Sequence, residues 1–322
     1  MVACYCEIME AIGGYFELEL CKGEHCHKKA LRLNTARNCF EYVIRARGWK
    51  KVYIPYYTCE VMLEPIRKLH IEHEFYHIDE KLEPSGLPKL DANEAFLYTN
   101  YFGLKQDCVK RLSSEYGRQL IVDDAQAFYA EPLEGIDTFY SARKFFGVPD
   151  GAYLYTDKPL QQEFEQDCSY ERMSHLLNRI DLGPETGYKD FRMNEESLCN
   201  QEIKSMSKLT ESILCGIDYE SVKRKRKENY TVLENTLKES NLIHLKMDDD
   251  AVPMVYPYLT KDNSLRQRLI DNKVFVATYW PNVLEWTTEG MAERGLIEKL
   301  ISIPCDQRYG ANELYRIIEL VK

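Results

Sequence analysis

No stretch of this 322-residue chain reaches the roughly 18 uninterrupted apolar residues that a membrane helix needs. A basic excess is missing too: 42 Lys and Arg stand against 52 Asp and Glu, for a formal net charge of −10. A nucleic-acid binder normally presents a basic face, so that class is set aside. The opening MVACYCEIMEAIGGYFELEL carries glutamates and no early lysine or arginine, unlike a secretory signal. No internal repeat, low-complexity segment or Gly/Ser linker is visible. The eleven cysteines are an odd number scattered through apparent helices and strands. They read as reduced thiols in a cytoplasmic protein, not as a disulfide framework.

Hydrophobic residues make up 44% of the chain, enough to bury a core. The length predicts two domains, or one large domain with a smaller lobe. From about residue 31 to 157 the pattern alternates. TARNCFEYVIRARG is helical, with Phe40, Val43, Ile44 and Ala46 on one face and Gly48 placed to stop it. KVYIPYY, EHEFYHID, AFLYTNYF and QLIVDDAQA are strands. CEVMLEPIRKL and CVKRLSSEYG are helices, with Pro65 near the start of the first or kinking it. Strands alternating with helices imply an α/β fold with a mostly parallel sheet. Residues 158 to 240 read as mainly helical and polar. Beyond 245, AVPMVYPYL, VFVATYW and LISIPCD read as strands, and NSLRQRLIDN and ANELYRIIELV as helices. The expected division is a large domain over 1–235, including an N-terminal segment 1–30, and a small α/β domain over 236–322.

In open parallel sheets, ligands bind beyond the carboxyl ends of the strands. Three features fall there. In LNTARN, Asn34 or Thr35 could cap a helix, and the amides of Thr35, Ala36 and Arg37 could hold a phosphate; a plain N-cap is the alternative. In IVDDAQA, two aspartates follow a strand. One could hold a metal or a protonated ring nitrogen, or both could be solvated turn residues. In DTFYSARKFFGVPDGAYLYTD, Lys144 sits in a break between two strands. A desolvated lysine beside a cation such as Arg143 becomes nucleophilic toward aldehydes; the alternative is a solvent-facing lysine. A phosphate cradle, a ring-nitrogen carboxylate and an aldehyde-capturing amine together are what pyridoxal phosphate requires.

Their order along the chain resembles the DegT-type sugar aminotransferases, a branch of the fold-type I pyridoxal-phosphate enzymes. Asp123 and Gln126 match the family's Asp-x-x-Gln. Lys144 is followed by four residues and then PDGA, where the family has Gly-Glu-Gly-Gly; Asp150 and Gly151 fall on the second and third of those positions. NTARN stands at the family's phosphate turn, and MSKLTESIL is similar to its Met-Ser-x-Leu helix. Within IPYYTCEVMLEPI, Cys59 falls where an aromatic residue stacks on the cofactor, leaving Tyr57 or Tyr56 as substitutes. The family's Ser-Phe-His run is replaced, which leaves Ser141 to support the phosphate.

The resemblance implies Lys144 as the cofactor-bearing, proton-shuttling lysine and Asp123 as the partner of the pyridine nitrogen. Gln126 is implied on the ring-hydroxyl side. Asn34, Thr35, Ala36, Arg37 and Ser141 are implied around the phosphate, and Tyr57 or Cys59 against the ring. It further implies a homodimer with its sites at the interface, and amino transfer from glutamate to a keto-sugar, a nucleotide-linked one included. A sugar dehydratase or lyase, and a non-catalytic scaffold with this fold, are the alternatives. Two clusters stand outside this scheme. Cys21, His25, Cys26 and His27, with Cys4 and Cys6 upstream, contain zinc-type ligands without a recognised closed-site spacing. The five basic residues Lys223 to Lys227 encircle a helix and read as a solvated surface, with Arg226 a candidate to meet an anionic substrate across a subunit boundary.

Overall fold

The computed structural model describes residues 12–322. The first part contains β1 (Leu31–Leu33), α1 (Ala36–Arg47), β2 (Lys51–Pro55), α2 (Leu63–Lys68), β3 (Glu72–Tyr76), β4 (Glu94–Thr99), α3 (Gln106–Tyr116), β5 (Leu120–Asp124), β6 (Asp137–Ser141) and β7 (Ala152–Tyr155). Four helices follow: α4 (Ser174–Asp181), α5 (Tyr188–Ser197), α6 (Lys208–Cys215) and α7 (Tyr219–Leu237). The last part holds β8 (Tyr256–Leu259), α8 (Leu265–Asp271), α9 (Val283–Trp286), α10 (Ala292–Lys299), β9 (Leu300–Ile303) and α11 (Ala311–Val321).

Seven strands form one sheet in the order β1-β7-β6-β5-β4-β2-β3. β3, β2, β4, β5 and β6 run parallel; at one edge β7 pairs antiparallel with β6 and β1 antiparallel with β7, so β7 alone is reversed. The expected mostly parallel sheet is therefore present. Its two faces carry separate cores, because successive side chains of a strand point to opposite sides. Ile121 of β5 joins Phe40, Val43 and Ile44 of α1 on one face. Leu120 and Val122 join Tyr98, Tyr140 and Leu233 on the other.

α1 begins where expected: Thr35 Oγ1 accepts from the Asn38 N–H at 3.2 Å. It ends at Gly48, whose φ of +73° suits glycine. Pro65 is tolerated in the first turn of α2. The mainly helical reading of 158–240 is partly corrected. Residues 158–173 contain only a short 3₁₀ turn at Tyr170–Arg172, and α4 and α5 expose Ile180, Tyr188 and Met193.

β8 and β9 pair antiparallel as a small second sheet. VFVATYW does not become a strand. Lys273 before it takes a φ of +60°, Pro281 follows it, and only Ala277 bridges to Ser302. The segment keeps an alternating character, however: Phe275, Ala277 and Tyr279 all face one cavity. Among the described residues, no helix is long and apolar enough to cross a membrane.

Candidate active site

The parallel strands deliver their carboxyl ends to one place. β6 stops at Ser141, a short 3₁₀ turn covers Ala142–Lys144, and a loop leads back to β7. The loop is braced from below. Gly151 N–H donates to Asn34 O at 2.6 Å, and Ala142 N–H donates to Gly151 O at 3.0 Å. Asp150 is fully buried and accepts from Ser207 N–H at 2.9 Å, Ser207 Oγ at 2.7 Å and the Thr210 hydroxyl. Gly151 has φ +109°, and an added Cβ would lie 2.8 Å from the Thr210 methyl, so side chain and conformation both demand glycine. The Pro-Asp-Gly turn is thus an internal brace that fixes the position of Lys144.

Lys144 projects into a cavity of about 620 Å³. Its Nζ lies 5.5 Å from the centroid of the Tyr279 ring. The side chain meets the cavity's solvent, yet the protein around it is dense enough that desolvation lowers the amine's pKa. Cys59 and Asp123 oppose that shift, and Arg143 adds to it.

Asp123 lies on β5, between Thr99 of β4 and Phe139 of β6. It is 5% exposed. Its Oδ1 accepts from Ala125 N–H at 2.9 Å, and Thr99 Oγ1 lies 3.5 Å from Oδ2. Burial pushes its pKa up to about 6, against the Ala125 N–H and the Lys144 charge. Asp124 faces the other side of the strand, beside Asn100 and Tyr140, and burial raises its carboxyl well above the ordinary range. Gln126 is 1% exposed; its Oε1 accepts from Phe102 N–H at 3.0 Å, and its buried Nε2 has no partner among the described residues. A buried amide donor left open is costly unless something accepts from it.

The amides of Thr35, Ala36 and Arg37 have no acceptor among the described residues, as expected at a helix start. Two guanidinium groups stand nearby. Arg37 pairs with Glu64 at 2.8 Å, and Arg143 pairs with Glu195. Burial, with repulsion from Arg37 and Arg172, pushes the Arg143 pKa down to about 10. Asn34 is otherwise engaged: its Nδ2 donates to Glu202 O at 3.0 Å and its Oδ1 accepts from Lys204 N–H at 3.3 Å. Ser141 is buried opposite Ala152.

Cys59 sits close enough for Lys144, Arg37 and Asp123 all to act on its thiol, whose pKa burial raises. Tyr57 packs instead between Tyr101 and Trp280, with ring centroids at 5.7 Å and 5.3 Å. Tyr56 stacks on Phe75 at 4.8 Å. The structure therefore brings Lys144, Asp123, Cys59 and Arg37 together and leaves both tyrosines committed to other rings.

One cavity residue escaped the sequence reading: Tyr279 was hidden in a presumed strand. Arg226, singled out in its basic run as a candidate to meet an anionic substrate across a subunit boundary, is 2% exposed and lines the same cavity as Lys144 within its own chain. The remaining residues of that run are half-buried or exposed. Arg226 stands four residues before Tyr230, on the face of α7 that is buried.

Solved structures with the same architecture include sugar aminotransferase CalS13 from Micromonospora echinospora, 12% identical, covering 92% of this chain and 87% of that one with a TM-score of 0.60. A DegT DnrJ EryC1 StrS aminotransferase from Brucella abortus is 14% identical over 91% of this chain and 84% of its own, with a TM-score of 0.60. The PLP-form of Spr1654 from Streptococcus pneumoniae is 13% identical over 90% and 85%, again with a TM-score of 0.60. The chain has the sugar-aminotransferase fold. No protein-family model and no curated protein sequence matches the chain.

The Cys/His cluster has a different use. His25 Nδ1 is 2.7 Å from the Tyr153 hydroxyl; His27 Nε2 is 2.7 Å from Phe128 O and its Nδ1 3.3 Å from the Tyr155 hydroxyl. Among the described residues no group of three or more metal-ligating side chains forms. Cys4 and Cys6 lie outside the described residues.

Proposed function

We propose that the chain is a pyridoxal-phosphate-dependent aminotransferase of the DegT type. The observation that carries this reading is the pairing of Lys144 with buried Asp123 at the ends of β6 and β5, with the open Nε2 of Gln126 three residues beyond Asp123 in the chain. These groups fit the cofactor. A buried carboxylate suits a protonated ring nitrogen, an open amide donor suits a ring oxygen, and free helix amides with Arg37 suit a phosphate. Cys59 fits less well, since a thiol offers no aromatic face.

Lys144 would anchor the cofactor and take up and return a proton at Nζ, helped by the downward shift that desolvation imposes on its amine. Asp123 would hold the ring-nitrogen proton, and Gln126 would donate from Nε2. Thr35, Ala36, Arg37 and Ser141 would surround the phosphate; Asn34 would shape that turn through its bonds to residues 202 and 204. When bound, pyridoxal phosphate supplies an electron sink for the carbon bearing the amine. The reaction is amino transfer from glutamate to a keto-sugar, a nucleotide-linked one included, by a cytoplasmic homodimer. Residues 1–235 form the cofactor-binding part in this scheme and 236–322 the smaller one.

The test is direct. Purified protein loaded with pyridoxal phosphate should absorb in the visible, and borohydride followed by peptide mapping should place the label on Lys144. Glutamate should then yield 2-oxoglutarate, and light scattering should give a dimer mass. Label on another lysine sinks the site. A labelled protein that produces no ketoacid from any amine donor favours the scaffold reading, which Cys59 motivates.

A further inference from the structure

Arg226 is the one side chain of its basic run that points into the protein. Its Nε donates to Gln307 Oε1 at 2.9 Å, and its Nη1 donates to Pro253 O at 3.2 Å and Met254 O at 3.0 Å. The guanidinium carbon sits 4.5 Å from the centroid of the Phe145 ring. Gln307 in turn donates to Phe145 O at 2.8 Å. Arg226 is thereby fastened to the residue that follows Lys144.

What it lacks is an anion. No carboxylate lies within ion-pair distance of it among the described residues. The neighbouring acid, Asp306, is held by two bonds from Arg308, at 2.7 Å and 2.9 Å. Neutral carbonyls and a glutamine amide satisfy three donors of the group and bring no charge, so the guanidinium feels Asp306 only from beyond ion-pair distance. Its Nη2 makes no hydrogen bond among the described residues, while the side chain borders the cavity that receives Lys144. A buried cation without a counter-charge is strongly disfavoured, and a guanidinium pre-oriented on three sides is suited to an oxyanion on the fourth.

We propose that Arg226 receives, through Nη2, an oxyanion of the substrate, and that this oxyanion is a carboxylate of the amino donor. The inference rests on the aminotransferase reading and deepens it by assigning a donor-recognition residue. Lys144 and Arg226 flank Tyr279: the amine approaches its ring, and the guanidinium charge acts on its hydroxyl. An α-amino dicarboxylate carries both an amine and a second acid group, so one molecule offers a group to each of the two residues. The shared chemistry with a phosphate of the acceptor is the oxyanion itself, and the experiment separates the two.

The wild type, R226Q and R226K are titrated by calorimetry with glutarate, an unreactive dicarboxylate, and separately with inorganic pyrophosphate. Thermal melts and the cofactor absorption band are recorded on the same preparations. The expected result is glutarate binding weakened at least about tenfold in R226Q, partly restored in R226K, with pyrophosphate unaffected. Weakening of pyrophosphate alone transfers the oxyanion site to the acceptor and overturns the carboxylate assignment. Unchanged binding of both ligands in R226Q, or no binding of either by wild type, overturns the site. If R226Q fails to fold, R226K carries the test, with a loss of at least about threefold expected for glutarate. A wild type without the visible band fails the aminotransferase reading itself. A normal band with glutarate binding unmoved in R226Q fails only the inference.

Discussion

The surroundings of Lys144 are built by opposite means on its two sides. On one side, Asp123 and the turn bearing Lys144 come off the ends of adjacent parallel strands, β5 and β6. Their positions are dictated by backbone pairing, and Asp150 and Gly151 brace the turn beneath. On the other side, Tyr279 lies on a segment with a single bridge to β9, and Arg226 reaches in from a helix. That wall is assembled from side-chain contacts such as Gln307 with Arg226. The difference suits a division of labour in the proposed enzyme. Chemistry that tolerates little displacement belongs on rigid strand ends, and recognition of variable substrates belongs on a wall held by side-chain contacts.

The comparison breaks most easily at Lys144. Lys144→Ala should remove the borohydride label and lower amino transfer by about a thousandfold or more, while the melting temperature stays near that of the wild type. A variant that keeps most of its activity assigns the proton transfer to another group.

Asp123→Asn should retain near-normal cofactor content and lose much more than tenfold in single-turnover reaction with glutamate. Its charge-assisted bond contributes roughly 1.5 to 3 kcal/mol. Asp124→Asn should be far milder, because burial already favours the neutral form of that carboxyl. An inactive Asp124 variant beside an active Asp123 variant would shift the site's register by one residue.

Asp123 also sharpens the contrast without any cofactor. Its folded pKa of about 6 lies above its ordinary value of 3.8, so ionisation opposes folding. The associated stability is fully present below about pH 4 and is lost as pH rises through 6. The rise from 3.8 to about 6 corresponds to roughly 3 kcal/mol. Cofactor-free Asp123→Asn should therefore unfold at higher urea than wild type at pH 7.5, with the advantage fading toward pH 4. Equal midpoints at both pH values would remove the buried-charge account of this strand end.

The smallest effect is expected away from the cavity. His25 Nδ1 is engaged with Tyr153, and both ring nitrogens of His27 with Phe128 and Tyr155. Chelator treatment should move the melting temperature by less than about 1 °C, against the several kcal/mol that a structural zinc contributes. A large drop would return this cluster to the list of metal sites.

Legibility followed the range of the interactions. The α1 cap at Thr35, its stop at Gly48 and the strands β2, β4, β5 and β6 were readable because propensity, turn chemistry and alternation act over a few residues. VFVATYW misled for the same reason: its alternation is real, but it faces a cavity and meets β9 at one bridge only. Tyr57 as a ring-stacking substitute looked reasonable by proximity in sequence, yet Tyr101 and Trp280 claim its ring.

The amino-acid sequence by itself determined the α/β order, the Asp-x-x-Gln strand end and the presentation of Lys144 between two strands. These depend on local pattern. Tertiary structure alone decided that Arg226, one of five consecutive basic residues, is the buried one. It also decided that Asn34 holds residues 202 and 204, and that Tyr279 lies beside Lys144. Each of those outcomes depends on contacts between residues more than 80 positions apart, or on which face of a helix meets the core, and neither is written in a local run of residues.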